Sequence, residues 1–303
     1  MNNTDKIQID AGLVQRLIET QFPQWATLPI KLVDFSGWDN RTFHLGEHMS
    51  VRLPSAAKYA ENVKQEQYWL PKLAPLLPLQ IPVPLAIGNP AAGYPWQWSI
   101  YKWLNGNTAS IERIHNLSQF ATKLGDFLVA LRRIDASGGP LAGAHNFYRG
   151  GALASYDAEV RQSIVTLGDK IDADVVTEVW DEALASTWQG IPVWVHGDVA
   201  FDNLLVVNGE LSAVIDFGGM GVGDPACDLV LAWTFFRGDS RDAFRAAISL
   251  DDATWARGRG WALWKALIIC APLPGINPLR VEESWRTIDE VLADYKVGKL
   301  ERE

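Results

Sequence analysis

The segment 193–229, VWVHGDVAFDNLLVVNGELSAVIDFGGMGVGDPACDL, constrains this chain more than any other. Two apolar runs rich in β-branched residues, Val193–Val195 and Leu204–Val207, flank a polar stretch, and a third run at 213–215 ends in an acid. Short strands alternating with polar clusters place each cluster where a strand stops. His196, Asp198 and Asn203 then stand in an H-x-D-x-x-x-x-N arrangement, and Asp216 follows in D-F-G.

Asp and Asn are common turn residues, and loop chemistry alone explains any one of these positions. Four of them in fixed order, all at strand ends, ask for a shared purpose. Phosphoryl transfer supplies one. It needs a carboxylate that orients an attacking hydroxyl and accepts its proton, and oxygen ligands that fix Mg²⁺ across the transferring phosphates. Asp198 suits the first role, and Asn203 with Asp216 the second.

His196-Gly197-Asp198, with Gly where protein kinases carry Arg, and Ile215-Asp216-Phe217-Gly218, followed by Gly223-Asp224-Pro225 and Asp228-Leu229, resemble the aminoglycoside phosphotransferase family. Protein kinases carry an A-P-E after D-F-G; none occurs here, which disfavours a protein substrate. The resemblance implies an α+β, protein-kinase-like two-lobe fold, with a small β-rich N-terminal lobe over 1–104 and a larger, mainly helical lobe over 105–303. It also implies ATP or GTP as co-substrate, Mg²⁺ as cofactor and a hydroxyl of a small molecule as acceptor. Asp198 would be the base and His196 would orient its loop. Asp224 and Asp228 match the family's tail, with Asp228 supporting the catalytic loop rather than binding metal.

Composition narrows the partners. With 303 residues, 48% hydrophobic and 21% charged, the chain can fill two lobes with core. A net charge of −9 argues against nucleic acid, whose phosphates need a basic face. The acidity suits a cationic substrate, but ordinary solubility explains it as well. Cys227 and Cys270, with no metal-type neighbours, read as reduced core thiols. There is no signal-like N-terminus and no apolar run of membrane-spanning length, so a cytoplasmic enzyme without membrane or obligate protein partner is expected.

Ahead of the central segment, Leu13, Val14, Leu17 and Ile18 form the stripe of a helix over 10–20, with Asp10 as N-cap. Strands over 30–35, 41–45 and 49–53, joined by the turn-like SGWDN and GEH, make a β-meander. By the resemblance, SGWDN holds the place of a phosphate-covering loop, with Ser36, Gly37, Asn40 and Arg41 as candidate contacts; on its own it reads as a hairpin turn. Arg52 stands where a kinase places its phosphate-neutralising Lys, which keeps the charge but changes its geometry. A helix over 58–74 turns Val63, Trp69, Leu70 and Leu73 inward, with Pro71 expected to kink it or end it early. Glu66 on that helix matches the acid that pairs with the strand cation. Strands at 83–87 and 95–106 follow, the second becoming the hinge, where backbone groups of Lys102 and Leu104 would meet the base edge of the nucleotide. Tyr101 either narrows the space behind the base, making GTP as acceptable as ATP, or is a strand residue that only packs.

Beyond 104 the pattern turns helical, over 116–134, 152–166, 173–188, 228–236, 241–250, 252–270 and 281–295, with a Gly-rich loop at 137–151. Asp202 is a partner of the metal ligands or a solvated acid. His44, His48, His115 and His145 lie at no metal-ligand spacing. Trp233, Trp261, Trp264 and Asp239 could line an acceptor pocket, although helix packing explains the Trp equally. The expected function is transfer of a γ-phosphoryl group to a small-molecule hydroxyl, first an aminoglycoside-type antibiotic. Alternatives are a macrolide, a choline-like amino alcohol or a sugar. A non-catalytic pseudokinase has no need of Asp198, Asn203 and Asp216 together.

Overall fold

The computed structural model describes residues 8–33, 39–271 and 278–300. They form two compact units, one from the described residues up to Gly106 together with Ala213–Gly218, the other from Asn107–Ser212 and the described residues from Gly219 onward. The sequence division at 104 left 213–218 with the second part. The structure joins that segment to the first unit, where the Val214 N–H donates to the Gln80 carbonyl at 3.0 Å and Asp216 pairs with Arg52.

In the first unit, helix α1 (Ala11–Gln21) starts at Asp10, whose carboxylate accepts the Leu13 N–H at 2.8 Å. Strands β1 (Ile30–Leu32), β2 (Asn40–Leu45) and β3 (Met49–Pro54) form the meander, and helix α2 (Ala57–Leu73) follows. With β4 (Pro84–Gly88) and β5 (Trp98–Lys102) they complete an antiparallel five-stranded sheet of order β1-β2-β3-β5-β4. Ser36 and Gly37 lie outside the described residues. Side chains alternate across a sheet, and this gives each face its own chemistry. Phe43, Leu45, Val51, Leu53, Trp98 and Ile100 pack with the α1 stripe as an apolar core. Arg52, Ser99 and Tyr101 occupy the alternate positions, where Gln67 of α2 donates to the Ser99 hydroxyl at 2.9 Å and to the Ala86 carbonyl at 3.0 Å.

Two expectations for α2 change. The helix runs through Pro71 to Leu73, so the proline does not end it early. Trp69 is half-buried, edge-on to Tyr68, while Glu66 takes the inward position with Val63, Leu70 and Leu73. A helix that covers Arg52 gains more from a carboxylate there than from an indole.

The second unit opens with β6 (Asn107–Thr108) and α3 (Leu117–Arg133), capped by Asn116 through the Gln119 N–H at 3.0 Å. Helices α4 (Asp157–Leu167) and α5 (Ala173–Leu184) precede β7 (Val193–Val195), β8 (Leu204–Val207), β9 (Glu210–Val214), whose last two residues belong to the first unit, and β10 (Gly221–Gly223). Strand β10 pairs antiparallel with β7, and β6, β8 and β9 make a three-stranded sheet. The rest is helical: α6 (Leu231–Thr234), α7 (Asp239–Ile248), α8 (Asp252–Cys270) and α9 (Pro278–Leu300). The helix expected over 228–236 is instead a 3₁₀ turn, Pro225–Leu229, leading into the short α6, because Pro225 and the acids around it cap rather than propagate. Helix α8 is buried nearly all round, with Trp255, Trp261 and Leu263 in the core. No described helix is long and apolar enough to cross a membrane.

Candidate active site

In the second unit, β7 delivers the chain into a loop fixed from beneath. His196 is fully buried, and its N–H and that of Gly197 each donate to the Asp228 carboxylate at 2.8 Å. Burial pushes the Asp228 carboxyl upward, against the pull of His196 and these two N–H donors. Gly197 adopts φ 82°, and a Cβ there would meet the Gly219 carbonyl oxygen at 2.0 Å, so only glycine fits this turn. The Asp198 N–H then donates to His196 Nδ1 at 3.2 Å, and the Asn203 side-chain amide donates to the Asp198 carbonyl at 2.9 Å. With its nitrogen committed inward, Asn203 has its side-chain oxygen for a ligand.

The Asp198 side chain is 41% exposed and forms an ion pair with Lys265 of α8, at 3.0 Å. Burial of its surroundings raises the carboxyl, but Lys265, Arg149 and His196 outweigh it and hold the pKa down to about 2. Behind the loop, Arg257 is buried with Asp224, its Nε 2.7 Å from Oδ2, and also donates to Ser186 and Thr254. Asp224 in turn accepts the Ala226 N–H at 3.0 Å.

In the first unit, Arg52 projects from β3 between two acids. Its Nη1 is 3.7 Å from Glu66 and its Nη2 is 2.9 Å from Asp216. Burial disfavours the guanidinium charge, and the two carboxylates more than restore it. Tyr101 donates its hydroxyl to Glu66 in a short hydrogen bond, and its ring lies 5.7 Å from the Arg52 guanidinium. Asp216 has φ 64°, left-handed, and the neighbouring Gly218 carbonyl accepts from Asn62 of α2 at 2.9 Å. Asn40, Arg52, Tyr59, Asn62, Glu66 and Tyr101 line a small pocket with room for about one water molecule.

A family model described as the phosphotransferase enzyme family matches residues 31–261. The chain belongs to this family. It is a phosphotransferase with an alcohol group as acceptor. No curated protein sequence matches it. Among solved structures, it is similar to the GDP and kanamycin complex of APH(2″)-IIIa, at 18% identity over 93% of this chain and 98% of that one, with a TM-score of 0.75. It also resembles the macrolide 2′-phosphotransferase MphH from Brachybacterium faecium, at 20% identity over 94% and 97% of the two chains, with a TM-score of 0.60. These likenesses establish the kinase-like α+β fold.

Within its first unit, this phosphotransferase brings Arg52, Glu66, Tyr101 and Asp216 into one cluster, with Asn40 beside it. Arg41 is an exposed β2 residue opposite Leu53. The Lys102 N–H is committed to the Val83 carbonyl at 3.1 Å, and Leu104 follows β5 in a half-buried stretch. In the second unit, His196, Asp198 and Asn203 share one loop, while Asp202 pairs with Arg280 at 3.1 Å. Sequence reasoning missed Lys265, Arg149 and the Asp224–Arg257 pair. A charge inside the apolar run ALWKALIIC was the available signal for Lys265.

Proposed function

We propose that this phosphotransferase moves the γ-phosphoryl group of ATP or GTP to the hydroxyl of a small molecule, with Asp198 as base. The observation that carries the reading is Asp198 itself: a half-exposed carboxylate, kept ionised, on a loop immobilised by His196, Asn203 and Asp228. The acceptor oxygen bonds to the γ-phosphorus, its proton passes to Asp198, the bond to the leaving oxygen breaks and a nucleoside diphosphate departs.

Asn203 and Asp216 offer hard oxygens, the donor chemistry Mg²⁺ prefers. Asp216 gives one oxygen to Arg52 and has the other for a cation. A Mg²⁺ held by such oxygens would supply positive charge to offset the negative charge that develops during transfer. Arg52, held in place by Glu66, would neutralise phosphate from the protein side. At the hinge, Lys102 would meet a base edge through its carbonyl, since its N–H serves Val83, and Leu104 through its N–H. Asn40, with Ser36 and Gly37, would cover the phosphates. A cytoplasmic setting fits this use of nucleoside triphosphate.

The test is nucleotide consumption by purified protein against aminoglycosides, macrolides, amino alcohols and sugars. Asp198→Asn should cut turnover at least about a hundredfold while sparing Mg-nucleotide binding. Asp216→Asn should weaken Mg²⁺ binding as well as turnover. Near-full activity in Asp198→Asn would remove the base from this reading.

A further inference from the structure

The wall beside Asp198 in the second unit is made of rings and cations. Arg149 lies with its guanidinium 5.0 Å from the ring centroids of both Trp261 and Trp264. It lies close against the Asp198 loop: a Cβ built on Gly197 would be 3.0 Å from the Arg149 Cβ. Lys265, one helical turn after Trp261, points the second cation at Asp198. Tyr156 stacks on Trp264 at 3.9 Å and 29°, and Tyr148 meets Tyr156 edge-on at 6.5 Å.

Tyr148 and Phe147 both adopt left-handed backbone, φ 52° and 53°, which is uncommon for bulky side chains. The turn that holds them is enforced by Asn146, fully buried, whose side-chain oxygen accepts the Gly143 N–H at 2.9 Å, and by the Tyr148 N–H to the Gly143 carbonyl at 2.8 Å. Despite that scaffolding, the Phe147 and Tyr148 side chains remain more than 40% exposed. This turn holds two rings open to solvent beside Arg149, a surface on which a flat group can stack.

The charges on this wall set its preference. Asp198 is matched by Lys265, and Glu159 is tied to the far edge of Trp264, accepting its indole N–H at 2.7 Å. Arg149 rests on the two indole rings and shares the charge of Asp198 with Lys265, so two cations face one carboxylate. A polycation would set its ammonium groups against Lys265 and Arg149, with Asp198 already shared between those two cations and Glu159 tied to Trp264. An anion would meet a guanidinium whose donors suit a planar carboxylate or a phosphate.

We infer that the acceptor is an alcohol carrying an anionic group on a flat apolar frame, the anion facing Arg149 and Lys265 and the frame lying on Tyr148 and Tyr156, with buried Trp264 backing Tyr156. This rests on Asp198 being the base and adds the class of acceptor. It also sets the chain apart from an enzyme whose acceptor is a polyamine sugar.

The test uses three isosteric alcohols: 4-(hydroxymethyl)benzoate, its neutral amide 4-(hydroxymethyl)benzamide, and the cationic 4-(aminomethyl)benzyl alcohol. Their dissociation constants are measured by NMR titration with Mg²⁺ and a non-hydrolysable nucleotide present, and their kcat/KM with ATP and GTP. The acid should bind at least about tenfold more tightly than either isostere. Arg149→Met and Lys265→Met, shown folded by circular dichroism, should shrink that ratio to about threefold or less, and Arg149→Lys should recover part of it. Equal or tighter binding of the amine or amide, failure of the acid to bind, or a ratio that survives both substitutions overturns the inference. An acid preference without turnover would leave the anion site standing and count against Asp198 as base.

Discussion

Replacing Tyr101 with Phe removes one oxygen from the interior of the first unit and nothing else of its shape. That hydroxyl donates to Glu66 Oε2, and both side chains are almost wholly buried. The remaining charged partner of Glu66, Arg52 Nη1, is 3.7 Å away, too far for a hydrogen bond and attractive mainly through its charge. A hydrogen bond to an ionised group contributes roughly 1.5–3 kcal/mol, and stranding the acceptor costs no less. Tyr101→Phe should therefore destabilise the first unit by about 1.5–3 kcal/mol in urea unfolding, read from the midpoint at constant slope. Because Glu66 also holds Arg52, nucleotide KM should rise and kcat fall together, equally for ATP and GTP. Tyr101→Met adds the gate test: a changed ATP-to-GTP ratio in Met but not in Phe would assign base selection to the ring. A loss under about 0.5 kcal/mol in Tyr101→Phe would show that Glu66 does not depend on the hydroxyl and refute the reasoning.

Three further outcomes are expected. Arg257→Met strands Asp224 in the interior, which should cost about 3–5 kcal/mol and lower the melting temperature of the second unit by roughly 6–20 °C in calorimetry. Asp198, held at about 2, is ionised above that pH, so its contribution to stability is complete above the ordinary value of 3.8 and is lost as pH falls toward about 2. Its protonation should accordingly give the pH–rate profile no acid limb above about pH 4, and Lys265→Met should move that limb upward; an identical limb in both proteins would argue against the ion pair. Arg52→Ala should raise nucleotide KM and lower kcat, whereas unchanged kinetics would hand phosphate neutralisation to another cation.

Periodicity made the elements legible where one face is apolar. The α1 stripe, the meander and the long α3 follow from residues that are neighbours in sequence, so a local pattern suffices. Arg52 and Glu66 were paired from the resemblance, and the strand alternation that sets Arg52 on the α2 side explains their meeting. Lys265 and Arg149 escaped because each reaches Asp198 from a distant part of the chain, and nothing local marks a lysine in an apolar helix as facing a carboxylate. The inward turn of Glu66 in place of Trp69 shows the same limit: helix spacing alone ranks an indole above an acid for burial, and the acid wins only once Arg52 is known to be opposite.

The glycine of His196-Gly197-Asp198 carries a consequence for how this sequence could have diverged. At φ 82°, with a Cβ position 2.0 Å from the Gly219 oxygen and 2.7 Å from the Gly219 carbonyl carbon, position 197 is closed to every side chain while the turn at 219 keeps its path. Arginine, which protein kinases place here, could not be reached by one substitution at 197. The loop after D-F-G would have to move first, and in moving would give up its backing of the Asp198 loop. Two glycines facing each other thus act as a lock on lineage: the route from H-G-D to H-R-D passes through at least two coupled changes, with a damaged intermediate between them.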